Sequence, residues 1–324
     1  MRVLAWHVHG SWMTSFVQGR HEYLLPLVAD RGPDGRGRAD TWEWPQSALE
    51  VTPEALRDEP VDVVVLQRPH ELELAERWLG RKPGIDVPAV YVEHNTPRGP
   101  SVETRHPLAD RTDIPVVHVT HFNRTAWDSG DAPTLVIEHG IPDPGYGYRG
   151  DDESLAVVVN EPVRRWRVAG TDLLLDVARQ LPVEVYGMGM PALLEAAETA
   201  GVTLLAGRVH ENVPQHRMHA ELGRHRAYLH PYRWTSLGLA LLEAMMIGLP
   251  VLALATTEAP RAVPPGAGVL SCDPAELVAA ARRWLADPDE ARETGLAGRR
   301  HALARYALPR FLDDWDRLLE GVVR

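Results

Sequence analysis

The sequence predicts an α/β protein made of two Rossmann-like units, and three observations carry that prediction. Short β-rich apolar runs alternate with helical stretches along the whole chain, the pattern of parallel sheets joined by crossover helices. With 324 residues the chain is too long for one ordinary core and fits two domains of roughly 150 residues each. The tract Pro142-Asp-Pro-Gly-Tyr-Gly-Tyr-Arg-Gly-Asp-Asp-Glu is dense in chain-turning residues and divides it near the middle.

In the first half the candidate strands are residues 2–8, 61–67, 88–94, 114–120 and 134–138. Residues 29–45, between the first two, are rich in Gly, Pro, Asp and Arg and read as a surface loop. The second half places strands at 155–160, 183–186, 202–205, 227–229, 250–254 and 268–270. Helices near 172–180, 192–200, 215–223, 237–247 and 274–286 separate them. The chain then closes on two amphipathic helices, with Trp284, Phe311, Trp315 and Leu318 on apolar faces. The expected domains are 1–148 and 149–305, with 306–324 a helix returning to the first. Two such units facing across a cleft bind ligands beyond the carboxyl ends of their strands.

Composition narrows the function classes. Apolar content of 44% and charged content of 24% are those of a soluble globular protein. No apolar run approaches the ~20 residues of a membrane span, and the N-terminus reads as a strand, not as a signal peptide. A net charge of -11 argues against nucleic-acid partners and against a basic membrane-docking face. The single cysteine, Cys272, excludes an internal disulfide and suggests the cytosol. Lys82 is the only lysine and lies in a turn, so cationic chemistry must come from Arg or His.

The most informative stretch runs from Trp234 to Thr257, where Glu243 is the one ionisable side chain. A helix apolar on every side is buried, and a buried carboxylate is costly unless something hydrogen-bonds it. The partner must come from another element or from a ligand, and the vicinal diol of a ribose suits an acceptor-only carboxylate. Thr235 and Ser236 are cap-type residues at the start of the same helix, and Gly238 permits close approach to the backbone. Helix N-termini bind phosphates. The distance from the first turn to Glu243 is ~8–10 Å, about the reach from a diphosphate to its ribose. The sequence thus reads as a nucleotide diphosphate lying along the start of a buried helix.

Ser236-Leu-Gly-Leu-Ala-Leu-Leu-Glu-Ala-Met-Met-Ile-Gly-Leu-Pro-Val-Leu-Ala resembles the donor-site helix of family-4 retaining glycosyltransferases, which have the two-Rossmann GT-B fold. Ala169-Gly-Thr-Asp-Leu-Leu-Leu, Val185-Tyr-Gly-Met-Gly, Leu205-Ala-Gly-Arg-Val and Tyr228-Leu-His-Pro follow the family order over roughly 155–305. In the first half the resemblance rests on the Gly10 loop, Val92-Glu-His-Asn and Ile137-Glu-His-Gly-Ile. It implies transfer of a hexose-type sugar from a nucleotide-sugar donor to a hydroxyl of a small-molecule or sugar acceptor. It also implies retention at the anomeric carbon, with no metal and no cofactor beyond the donor.

By the same resemblance Glu243 is the ribose ligand, and the backbone of Ser236, Leu237 and Gly238 holds the diphosphate. Gly207, Arg208 and Val209 lie beside the nucleobase, and Asn160 and Gly187 join the donor loops. His94 lies next to the donor sugar, while Gly10 and Ser11 face sugar and acceptor; apart from the resemblance, Trp12 beside that loop and Asn95 after His94 are candidate acceptor contacts. Four positions depart from the family. Thr235 replaces a Glu that contacts the hexose, Ala169 replaces a phosphate-binding Lys, and Thr257-Glu258 replaces a Gly-Gly. The charge then has to come from Arg164, Arg165 or Arg167, of which one or two are expected at the diphosphate. His7 with His9, and His118 with His121, lack a third ligand for zinc. Two alternatives stay open: a nucleotide-sugar epimerase on the same fold, and a non-catalytic partner subunit.

Overall fold

The computed structural model describes residues 1–40, 42–100 and 103–324. Its contacts divide the chain into one unit of Met1–Ile141 with Leu308–Arg324 and another of Pro142–Ala307.

The first unit contains β1 (Arg2–Ala5), α1 (Gly10–Phe16), β2 (Glu22–Pro26), β3 (Ala48–Val51), β4 (Val63–Leu66) and α2 (Glu71–Leu79). They are followed by β5 (Ala89–Glu93), β6 (Val116–His118), α3 (His121–Ala126) and β7 (Thr134–Val136). All seven strands pair in parallel in the order β3-β2-β1-β4-β5-β6-β7. Central strands such as β4, Val-Val-Val-Leu, are buried along their whole length, as a sheet covered on both faces requires. Sequence patterning missed β2 and β3. β3 is a four-residue edge strand, and β2 ends in a proline, which demotes a run as a strand signal.

The second unit contains β8 (Asp152–Val158), α4 (Pro162–Ala169), α5 (Thr171–Ala178), β9 (Val183–Gly187), α6 (Met190–Thr199), β10 (Val209–Glu211) and α7 (Gln215–Leu222). Next come β11 (His225–His230), α8 (Leu239–Ile247), β12 (Val251–Leu254), α9 (Ala259–Ala262), β13 (Gly268–Ser271), α10 (Pro274–Ala286) and α11 (Pro288–Arg305). The six parallel strands run β10-β9-β8-β11-β12-β13, the order of a dinucleotide-binding sheet with its switch point between β8 and β11.

Two expectations here are corrected. Residues 202–205 are not a strand: Thr203–Leu205 form a single 3-10 turn, Leu205 is fully buried, and the edge strand is β10, paired with β9. The arginine run, outside the elements expected from the sequence, lies in α4, which has Pro162 in its first turn, where a missing N–H costs nothing, and a non-helical break at Trp166. The helix expected from residue 237 starts at Leu239, so 235–238 are the loop before it.

The last helix, α12 (Leu308–Val323), belongs to the first unit. Phe311, Trp315 and Leu319 recur on one face and enter that unit's core. Trp315 sits edge-on to Trp12 (5.6 Å) and Phe16 (5.1 Å). Replacing so large a buried ring leaves a cavity that the neighbours fill only in part. Trp315→Ala is therefore expected to lower stability by ~3–5 kcal/mol in urea denaturation, against under 1 kcal/mol for the exposed Arg317→Ala.

Candidate functional site

In parallel sheets side chains converge beyond the carboxyl ends of the strands, and most of all where the strand order reverses. The second unit's switch point brings together the ends of β8 and β11. Asn160 follows β8 and its side-chain oxygen accepts the N–H of Met188 (3.0 Å). His230 ends β11, followed by Pro231 and Tyr232. The Tyr232 ring carries the Arg165 guanidinium over its face at 5.2 Å, and its hydroxyl meets Arg165 and the backbone of Asn160. Residues 233–238 then lead into α8.

The three arginines of α4 have separate fates, as adjacent helical positions dictate. Arg164 points outward, 3.7 Å from Glu161. Arg167 pairs with Asp172, whose carboxylate also binds Arg233 (3.0 Å). Arg165 alone turns in toward the switch point. Two residues bracketing this region, Glu161 (φ 54°) and Trp166 (φ 23°), have left-handed backbones that non-glycine residues rarely adopt.

Gly238 is the N-cap of α8 and brings no side chain to its free N–H groups. Thr235 and Ser236 lie upstream and do not cap it, which corrects the sequence reading. The need for glycine at 238 also has a protein cause: a Cβ there would stand 2.5 Å from Cε1 of His230. Leu239 and Ala240 are half-buried, and from Leu241 the helix is buried on all sides.

Glu243 is 6% exposed. Its partners come from α7, where Gln215 and His219, one helical turn apart, face it together. Gln215 Nε2 donates to Oε1 (2.9 Å) and His219 Nε2 lies 3.3 Å from Oε2. The Gln215 contact is a hydrogen bond and the His219 contact is a proximity without hydrogen-bond geometry, so most of the carboxylate's roughly four acceptor positions stay unused by these two residues.

Other expected donor residues move. Gly207 and Arg208 precede β10, so they lie at the amino end of the sheet, away from the switch point, and Val209 is the strand's first residue. Arg208 is held by Glu184 (2.7 Å), which also binds His210 (2.8 Å). The loop at the carboxyl end is Asn212–Pro214, with Asn212 left-handed (φ 48°), leading straight into Gln215. The turn after Gly187 is not an open phosphate loop. The N–H groups of Gly189 and Met190 already donate to the Glu211 carboxylate (3.3 and 2.7 Å). Gly187 itself is required because a Cβ would stand 2.0 Å from the Val159 carbonyl oxygen. Thr257 keeps a left-handed backbone (φ 49°), so the shape a glycine would give survives the substitution, at a cost of about 1–2 kcal/mol.

The first unit's switch point lies between β1 and β4. His94, just past β5, is buried there. The Gln67 amide nitrogen donates to the Trp6 carbonyl (2.6 Å), so its oxygen faces His94 Nε2 (3.1 Å), and the imidazole is the donor. Glu71 fixes Gln67 in turn by accepting its backbone N–H (2.6 Å). The His9 ring lies 4.1 Å from that of His94. Burial drives His94 far below the usual histidine range, His9 to about 4 and His139 to about 3.

Gly10 opens α1 and is half-buried, but a Cβ on it would collide with the Trp42 ring at 2.3 Å, and Ser11 is half-buried beside it. Trp12 is core: 2% exposed, stacked on Phe16 (4.7 Å) and edge-on to His94 (5.0 Å). It has no free face for an acceptor, which corrects that expectation. Asn95 is exposed; its N–H donates to the Glu93 carboxylate (2.6 Å) and its carbonyl accepts from Trp127 Nε1 (2.8 Å). Gln67, Gln215, His219 and His230 were not singled out from the sequence. Gln215 and His219 were visible as an i, i+4 pair on a predicted helix, and His230 as a polar residue closing an apolar strand.

Residues 164–315 match the sequence model of the glycosyl transferase-like family. A segment of 81 residues is 37% identical to trehalose synthase of Rubrobacter xylanophilus, covering 25% of this chain and 20% of that enzyme. Among solved structures, sucrose-phosphate synthase from Thermosynechococcus elongatus superposes with a TM-score of 0.75 at 14% identity, covering 99% of this chain and 98% of the other. Anabaena HepE in complex with UDP-glucose gives 0.74 at 15% identity, covering 99% and 100%. A glycosyltransferase from Rickettsia africae gives 0.71 at 12%, covering 100% and 98%. The class defined by family match and fold is a glycosyltransferase-like chain of the GT-B architecture.

The buried imidazoles make a pH prediction. A histidine whose folded pKa lies below its unfolded value of about 6.5 adds no penalty above that pH. As pH falls below 6.5 the unfolded chain takes up the proton and the folded chain does not, so stability drops until the folded pKa is reached. His9, His94 and His139 should together remove ~4 kcal/mol between pH 7.5 and 5.5. Urea midpoints that coincide at the two pH values would contradict the assignment of neutral, buried rings.

Proposed function

We propose that this chain is a retaining glycosyltransferase that moves a hexose from a nucleoside diphosphate sugar to a hydroxyl acceptor without a metal. The observation that carries the reading is Glu243, a buried carboxylate fixed by Gln215 and His219, about 7–8 Å along the helix from the N-cap Gly238. A ribose can bond the remaining lone pairs while the diphosphate reaches the N–H groups of Leu239 and Ala240. Arg165, at the switch point, supplies the cation that the family's lysine provides elsewhere. The family match over 164–315 and the UDP-glucose complex of HepE support a uridine nucleotide as the first donor to try.

Charge builds on the leaving diphosphate as its bond to the anomeric carbon breaks. Arg165 and the amino end of α8 stabilise that charge, which is electrostatic catalysis by fixed groups. The acceptor oxygen bonds to the anomeric carbon on the face the phosphate leaves, and its proton passes to a phosphate oxygen. The absence of a strongly basic surface in the sequence favours a small soluble acceptor and a cytosolic setting. Among the described residues no helix is long and apolar enough to cross a membrane.

The test is incubation with UDP-glucose, and with GDP-, ADP- and dTDP-hexoses, in EDTA, followed by NMR of the products. The expected result is slow release of nucleoside diphosphate and an α-configured sugar from an α-configured donor, reduced at least ~100-fold in Arg165→Ala. Conversion of the donor sugar with no bond to phosphate broken would instead identify an epimerase, and no turnover of any donor would favour a non-catalytic role.

A further inference from the structure

His230 has no role in the reading above, and its surroundings are unusual. It closes β11 at the switch point and is 3% exposed. Its ring is stacked against Tyr232 (4.7 Å) and Tyr228 (6.2 Å). Its Nδ1 is buried with no hydrogen-bond partner, a rare condition for a polar atom in a folded interior. The ring edge that bears Cε1 and both nitrogens faces the N-cap of α8. From the position a Gly238 Cβ would take, Cε1 is 2.5 Å away, Nε2 3.3 Å and Nδ1 3.5 Å.

We propose that His230 is a neutral hydrogen-bond donor to the diphosphate of the bound nucleotide, working beside Arg165 and the first N–H groups of α8. This rests on the donor-site reading above and adds a residue to it.

Charge and direction are then divided between two side chains. Arg165 on α4, with its guanidinium over Tyr232, is the charged group that faces the imidazole, and Tyr228 and Tyr232 are the titratable neighbours. Glu243, on the same helix as the N-cap, is turned to α7 and does not pair with it. Burial and the arginine hold His230 at about 3, and the positive end of α8 acts in the same sense. The ring therefore carries one N–H and no charge at neutral pH. A donor that gains no proton on binding keeps the same strength across the working pH range, as a lysine with a fixed charge would. Glycine at 238 is what lets the ring edge reach the helix start.

The experiment compares UDP with uridine by calorimetry at pH 8, where the phosphate is fully ionised. The proteins are the wild type, His230→Phe, which keeps the stacked ring, and His230→Gln, which restores a donor. The expected outcome is a loss of about tenfold in UDP affinity for His230→Phe, partial recovery in His230→Gln and unchanged uridine affinity. Equal losses for UDP and uridine, or no loss, would overturn the inference while leaving the donor site in place. Failure of the wild type to bind UDP, ADP or GDP would overturn both. A measurement on the wild type alone covers a variant that does not fold. Its UDP-binding heat should be the same in buffers of different ionisation enthalpy, and an imidazole N–H should move downfield in histidine-labelled NMR spectra. Uptake of a proton, or no shifted imidazole, counts against a neutral donor.

Discussion

The second unit is organised around one unfavourable placement, a carboxylate inside a helix that is otherwise apolar. Seven consecutive residues of α8, Leu241 to Ile247, are buried, and Glu243 is among them. Left alone, that charge would cost several kcal/mol. The fold answers it from α7, whose Gln215 and His219 stand one turn apart for that purpose. Replacing Glu243 with leucine would satisfy the core more simply. An acid there, with a single side-chain hydrogen bond from Gln215 and further acceptor capacity left, fits a group that serves a ligand.

The same logic orders the neighbouring residues. β8 and β11 diverge in their connections, the arrangement that in such sheets gathers ligand-binding side chains beyond the carboxyl ends. Asn160, Arg165, His230 and Tyr232 gather there, and the start of α8 lies against His230. Each is fixed by the protein before any ligand arrives: Asn160 by the Met188 N–H, Arg165 by Tyr232, His230 by its ring contacts. Preorganised groups of this kind lose little on binding and act at full strength in the transition state. The first unit repeats the arrangement with imidazoles. Glu71 holds Gln67, Gln67 orients His94, and burial keeps the rings neutral.

Much of this could be read in the sequence, and the parts that could not share physical causes. The two-unit α/β architecture followed from alternating periodicities, and the buried helix with its lone acid from composition alone. The misread strand at 202–205 is an apolar run too short for periodicity to separate a strand from a plugged turn. Gly207 and Arg208 therefore precede the true edge strand, and Asn212–Pro214 follow it at its carboxyl end. The arginine run carries no legible helical period, because three charges and a tryptophan with a non-helical backbone interrupt α4. Gly10 and Gly238 were assigned to ligand approach, whereas the Trp42 and His230 rings already occupy the space. Spacing reports that a side chain is small. It does not report which neighbour needs it so. Trp12 shows the converse, a residue near a loop in sequence that the fold buries against α12.

The central claim is that Glu243 binds the ribose of a nucleotide. Affinities of UDP and of its 2′-deoxy and 3′-deoxy analogues, measured on wild type and on Glu243→Ala, test it most directly. The account predicts that wild type prefers the intact diol by about tenfold or more and that the alanine variant loses most of that preference, because a hydrogen bond to a charged group contributes about 1.5–3 kcal/mol. Wild-type affinities that are the same for UDP and for both deoxy analogues would contradict it.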